Sequence, residues 1–302
     1  MKKSFAADGG LLFVAFIWGS TFIVVQNAIS TLVPLAYNAW RFLFGAIFLI
    51  LWVVIFKKDA KFSIPLVLSG ALLGVFLFVG YTFQTVGLLY TTSSKAAFIT
   101  GLSVILVPLF SYFILKIKPA ASVASGACLA AIGLYLLTMT GPLKLNAGDG
   151  LVFICAAAFG LHIIFTAKVT NQYSTLLLTI VQLLTVSILS FISGTFINGP
   201  EKIFNFHALG RPDVLFSCLF TAFFATSMAF LLQTALQKFT TPSHVGLIFI
   251  MEPVFAAITS AVWEHEYMSY TGAIGCLLIL LGMGLSEWRP KKHKKSHKTS
   301  SY

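Results

Sequence analysis

Charge is scarce in this sequence. Asp, Glu, Lys and Arg make up 10% of the 302 residues, where a soluble domain carries about a quarter. A water-facing surface cannot be covered with so few charges. Cysteine is also sparse: Cys128, Cys155, Cys218 and Cys276 all lie in apolar runs without CxxC spacing. That excludes a disulfide framework and a thiolate metal site, and it leaves small packing residues. No HExxH or GxSxG motif and no spaced Asp/Glu/His set is present, so the sequence offers no catalytic residue and no metal site. Glu264-His265-Glu266 lacks a third ligand at useful spacing and reads as a solvated loop. No phosphate-binding loop occurs, so no cofactor is expected and any work done by the chain must draw on a gradient. No filter-like segment or charged ring is visible, which argues against a channel.

What the chain has in excess is apolar sequence. Hydrophobic residues reach 58% and the mean hydropathy is +0.93. The apolar residues fall into runs at about 9–29, 35–56, 64–90, 94–115, 120–139, 149–168, 174–196, 213–237, 242–263 and 268–288. Each is close to the ~20 residues that cross a bilayer. The first run, after Met1-Lys2-Lys3, is long enough to span and is read as a span rather than a leader. The predicted fold is an all-α membrane protein with ten transmembrane helices.

The net charge of +11 does not point to nucleic acid, because the basic residues sit in gaps between runs and in the tail. With the N-terminus inside, the inner segments hold Lys2, Lys3, Lys57, Lys58, Lys61, Lys116, Lys118, Lys168, Lys238 and six Lys and Arg residues from Arg289 onward, 15 in all. The outer segments hold Lys95, Lys144, Lys202 and Arg211. Lys and Arg favour the cytoplasmic side, so both termini are placed in the cytoplasm of a multi-pass cell-membrane protein. The segment 289–302 is a basic cytoplasmic tail. It is read as a topology anchor, with anionic lipid as the other ligand it suits.

The chain also repeats itself. At an offset of 149, residues 81–139 overlay 230–288 without a gap. Gln84-Thr85 then meets Gln233-Thr234, Ile99 meets Ile248, and Gly126 and Gly133 meet Gly275 and Gly282. At an offset of 141, Trp18-Gly19 meets Phe159-Gly160 and Arg41 meets Gln182. The difference places an insertion near 197–212. The halves are 1–140 and 141–288. Five spans in each force opposite orientations, and such an inverted repeat is common among secondary transporters.

Trp18-Gly19-Ser20-Thr21-Phe22, Arg41-Phe42, Phe98-Ile99-Thr100-Gly101-Leu102 and Glu252-Pro253-Val254-Phe255-Ala256-Ala257, in this order and with the duplication, resemble the EamA-type branch of the drug/metabolite transporter superfamily. The resemblance covers nearly the whole chain. It implies ten helices around a central cavity lined by the first, third, fourth, sixth, eighth and ninth. It also implies export of a small organic metabolite, amino acid-like, amine or drug-like, by alternating access. The alternative is an integral membrane enzyme or channel acting on a small or lipid substrate. Where the second half has Glu252-Pro253, the first has Ser103-Val104, so the acid has no symmetric counterpart.

A charge inside the bilayer costs about 2.5–3.5 kcal/mol on insertion scales. Glu252 lies mid-run beside Pro253, which can kink the helix. It can take up a coupled proton, meet a cationic substrate group, or serve as a hydrogen-bonded structural acid. Arg41 either snorkels to the interface as an anchor or captures a carboxylate. His162 is a packing residue or a proton relay. Trp18, Ser20, Tyr81, Gln84, Thr85, Thr100, Thr226 and Gln233 complete the substrate-cavity candidates, each also able to serve as an interhelical hydrogen bond. Lys95 and His244 read as helix-end residues near water. Gly70/Gly74 and Ala156/Gly160 have small-xxx-small spacing, which fits internal packing and a homodimer contact equally.

Overall fold

The structure is a computed structural model that describes residues 2–56, 61–87, 89–91, 93–139, 146–263 and 269–287. The 264–266 cluster, Lys57, Lys58, Lys144 and the basic tail lie outside the described residues. Those described are helical, with no strand among them. We number the long helices α1 (Lys2–Ile29), α2 (Pro34–Phe56), α3 (Ile64–Gly87), α4 (Ser93–Gly101 with Ser103–Leu115), α5 (Ala121–Thr138), α6 (Ala147–Val169) and α7 (Thr175–Asn198). After them come α8 (Pro212–Thr221 continuing to Phe239), α9 (Pro242–Phe249 with Met251–Trp263) and α10 (Tyr270–Glu287). Eight of these, α2 to α9, are long and apolar enough to cross a membrane. In α1 and α10 the apolar stretches are shorter, Phe5–Thr21 and Tyr270–Ser286.

Local chemistry explains where the helices start and stop. Pro34, Pro212 and Pro242 open α2, α8 and α9, where a missing N–H costs nothing. Asn146 and Asp149 form a capping box at the start of α6. Gly199 ends α7 at φ +89°, a backbone region that favours glycine. The segment 197–212 holds two one-turn helices, Pro200–Ile203 and Phe206–Leu209.

Small residues let the helices approach. A Cβ at Gly126 would lie 2.5 Å from the Gly282 carbonyl oxygen, and one at Gly133 would lie 2.5 Å from that of Gly275. The α5–α10 contact is therefore backbone on backbone. Gly70 and Gly74 receive Val181 and Thr185 of α7, and Gly160 receives Phe110 and Val107 of α4. Both small-residue motifs are thus used inside the chain, and the dimer contact drawn from their spacing loses its basis. One buried cluster joins α2, α3, α7 and α8, and a second joins α1, α4, α5, α9 and α10. Outward, Ile188, Ile192 and Phe196 form an exposed stripe along α7, as Ile274, Leu277 and Leu281 do along α10. Such a surface suits lipid tails. Of the cysteines, Cys155 and Cys218 are buried, but Cys128 is exposed, so it is not the packing residue expected.

Candidate functional site

Two helices are interrupted at matching points. α4 breaks at Leu102 and α9 at Ile250, one residue apart under the 149 offset. The second segment of α9 begins at Met251, which places Glu252 in its first turn. A carboxylate there faces the positive end of the helix dipole. The break precedes Pro253 instead of falling at it. Proline sits within the first turn, where it lacks no bond, and it disfavours continuation from the preceding turn. α1 passes close by: a Cβ on Gly19 would lie 2.5 Å from the Glu252 carbonyl oxygen and 2.9 Å from the Ala256 nitrogen.

α8 departs from α-geometry over Ala222–Met228, a π-helical stretch. Such wide turns re-aim backbone carbonyls and are frequent at functional sites. Here the Trp18 indole N–H donates to the Ala225 carbonyl at 2.8 Å. The Arg41 Nε–H donates to Thr226 Oγ1 at 2.8 Å. Ser227 Oγ donates to the Gly45 carbonyl at 2.7 Å, which ties the stretch to α2.

Aromatic rings connect these groups. Phe249, Trp18, Phe230, Phe42, Tyr81 and Phe159 follow one another with centroids 5.1, 5.3, 6.0, 5.3 and 5.3 Å apart. The wall therefore draws on α9, α1, α8, α2, α3 and α6. Arg41 lies against it, 5.1 Å from the Phe42 ring and 5.4 Å from the Tyr81 ring. At 4% exposure, Arg41 does not reach the interface, so the snorkelling anchor is excluded. Thr226 and the ring faces hold it inside. The Glu252 side chain makes no ion pair or hydrogen bond with a described residue. It keeps accessible surface, as do Trp18, Tyr81, Gln84 and Thr100.

The other candidates divide into separate groups. Gln84 Nε2 donates to Thr100 Oγ1 at 3.3 Å, and Thr100 lies 3.9 Å from Cys155 Sγ. Thr85 turns back to the Tyr81 carbonyl of its own helix at 2.7 Å, away from any shared site. Ser20 accepts a 3.5 Å bond from Thr259 of α9. His162 Nε2 meets Gln182 Oε1 at 3.0 Å, and Gln182 Nε2 donates to Thr234 Oγ1 at 3.2 Å. Gln233 is 2% exposed, and its Oε1 has no partner among the described residues. Gln84 and Gln233 match in the repeat but do not bond to each other. No group of three His, Cys, Asp or Glu is assembled among the described residues. Lys95 departs from expectation. It pairs with Asp149 at the start of α6, with side-chain exposures of 13% and 3%, and Thr91 donates to the same carboxylate. His244 is 3.3 Å from Ser286 Oγ.

Several members of the site are absent from the sequence reading: the rings of Phe42, Phe159, Phe230 and Phe249, the amide of Gln182 and the π-helical stretch. Gln182 had a signal in its alignment with Arg41. Phe159 had one in its alignment with Trp18 and Phe42 in the Arg41-Phe42 pair, whereas Phe230 and Phe249 had none in a chain of 30 phenylalanines.

The profile of the EamA-like transporter family matches residues 6–139 and 146–287. The chain belongs to this family. Among relatives of the EamA-like protein is an uncharacterized transporter of Archaeoglobus fulgidus, 36% identical over 281 residues, 93% of this chain and 85% of that one. The uncharacterized transporter YvbV of Bacillus subtilis is 23% identical over 94% of this chain and 92% of its own. Protein PagO of Salmonella typhimurium is 24% identical over 81% of each chain. One crystal structure superposes with a TM-score of 0.78 at 17% identity, covering 93% of this chain and 98% of that one. At that identity the likeness shows the fold of this EamA-like chain and nothing finer.

Proposed function

We propose that this EamA-like protein is a secondary transporter that exports a small organic metabolite, amino acid-like, amine or drug-like, by alternating access. The observation that carries the reading is the pair of helix breaks in α4 and α9, at matching points of the two halves, beside a partly accessible Glu252. Both breaks are one residue long and keep right-handed helical backbone at Leu102 and Ile250, and paired interruptions in corresponding segments point to a mid-membrane binding site. A substrate amine suits the Glu252 carboxyl and the faces of Trp18 and Tyr81. Arg41, bonded to Thr226 and lying against the Phe42 and Tyr81 rings, supplies a fixed positive charge in the same region.

The same reading holds that ten spans are arranged as inverted halves, 1–140 and 141–288. The reciprocal contacts Gly126–Gly282 and Gly133–Gly275 support it, because a two-fold relation turns each into the other. The Lys and Arg distribution supports a cell-membrane protein with both termini and the tail 289–302 in the cytoplasm. A proton is the proposed coupling ion, taken up by Glu252.

Flux into proteoliposomes of a panel of amino acids, amines and organic acids, with and without a pH gradient, tests the proposal. Glu252→Gln is expected to cut flux at least about tenfold, a barrier change of ~1.4 kcal/mol, and to flatten its pH dependence. Unchanged flux and pH dependence in that variant would refute the role of Glu252. Product formed from a lipid, with no flux of any solute, would favour a membrane enzyme.

A further inference from the structure

Where α4, α6 and α8 finish and α9 begins, a cleft of about 280 Å³ opens beside the helix ends. It lies away from Glu252 and the aromatic wall, and no acidic residue lines it. Lys168 and Lys238 stand at its edge. Their ammonium groups are steadied over neighbouring rings, 5.7 Å from Phe165 and 5.0 Å from Phe239. Neither makes an ion pair with a described residue. Asn171 adds an amide, and Leu115 and Ile117 give one wall an apolar face.

The second observation is at the floor. Gln237 lines the cleft and is fully buried. Its Nε2 is committed to the Ile163 carbonyl, while its Oε1 has no partner among the described residues. Thr166 Oγ1, beside the lining residue Ala167, is likewise buried without a partner. A buried acceptor left unsatisfied is costly, so the floor calls for a donor while the edge calls for an anion. Lysine meets phosphate as a point charge, and the N-terminus of α9 at Pro242 adds partial positive charge.

We propose that this cleft binds a phosphate ester that also carries a hydroxyl or ammonium group. The phosphate lies between Lys168 and Lys238, and the donor reaches the Gln237 floor. Two sources share that chemistry: a phospholipid headgroup, with its chains along Leu115 and Ile117, and a soluble phosphate ester.

The test is thermal unfolding of the full chain. One arm compares nanodiscs of phosphatidylcholine with nanodiscs containing about one-third phosphatidylglycerol. The other adds glycerol 3-phosphate in detergent. Ligand bound only to the folded state is expected to raise the midpoint by at least about 3 °C. The shift should vanish in Lys168→Gln/Lys238→Gln and persist in the charge-matched control Lys61→Gln/Lys202→Gln, whose lysines are exposed elsewhere. A shift with phosphatidylglycerol assigns the lipid source, and one with glycerol 3-phosphate alone assigns the soluble source. No shift in either arm overturns the proposal. So does a shift that survives Lys168→Gln/Lys238→Gln, or one lost equally in the control.

Discussion

Gly19 and Gly160 occupy equivalent places in the repeat, yet alanine should be costly at the first and nearly neutral at the second. At Gly19 the new Cβ would lie 2.5 Å from the Glu252 oxygen, 2.8 Å from Phe255 Cβ and 2.9 Å from the Ala256 nitrogen. Comfortable carbon contacts lie near 3.5–4.0 Å, so α1 would have to withdraw from α9 by roughly 1 Å. Two of the three obstacles are backbone and cannot rotate away. Overpacking of this kind costs about 1–3 kcal/mol, against a helix-propensity gain of up to ~1 kcal/mol for alanine over glycine. At Gly160 the nearest atoms are 3.2 and 3.3 Å away on the Phe110 ring, which can tilt, so the propensity gain should roughly cancel the strain. Thermal unfolding of both variants under identical detergent conditions measures the difference. Gly19→Ala is expected to melt several degrees below the parent chain and Gly160→Ala close to it. Equal midpoints would refute the claim that α1 is seated on the α9 backbone.

Thr226→Val leaves the Arg41 Nε–H without its acceptor and should cost about 1–3 kcal/mol. Adding Arg41→Met should recover part of that, as read in a double-mutant cycle of unfolding free energies. Asp149→Asn weakens the pair with Lys95 and the capping box with Asn146, so a loss of about 1–3 kcal/mol is expected. Lys95→Met/Asp149→Leu should melt closer to the parent than the single variant does. Lys116 holds a left-handed backbone at φ 57°. Lys116→Gly should stabilise by about 1 kcal/mol, detectable as a raised unfolding midpoint.

The helices were legible because a bilayer imposes length and polarity on every span. The run 35–56 became Pro34–Phe56, and 213–237 became the helix from Pro212 to Phe239. The site was legible only where a residue was costly in its setting. Arg41 and Glu252 stood out as charges in apolar sequence, but the partner of Arg41 is Thr226, 185 positions away. Lys95 read as solvated because charges near span ends usually are. Its partner Asp149 lies across the boundary between the halves, 54 positions on. The ring wall left no trace in composition, since membrane helices use phenylalanine as bulk filler. The breaks at Leu102 and Ile250 and the π-helical stretch in α8 depend on which carbonyl each amide reaches. Pro253 marks the break in α9, but no side-chain pattern marks the one in α4 or the π-helical stretch.

The π-helical stretch makes the site sensitive to a kind of change that substitution does not sample. Deleting one residue within 222–228 would let the stretch relax to α-geometry, with the helix on either side nearly in phase but the carbonyls and side chains inside it aimed elsewhere. The Ala225 carbonyl would leave Trp18, and Thr226 would leave Arg41, in a single event. Each of those side chains is separately replaceable, but the register that aims them is shared. In this helix a length change of one codon is therefore more consequential than most changes of letter.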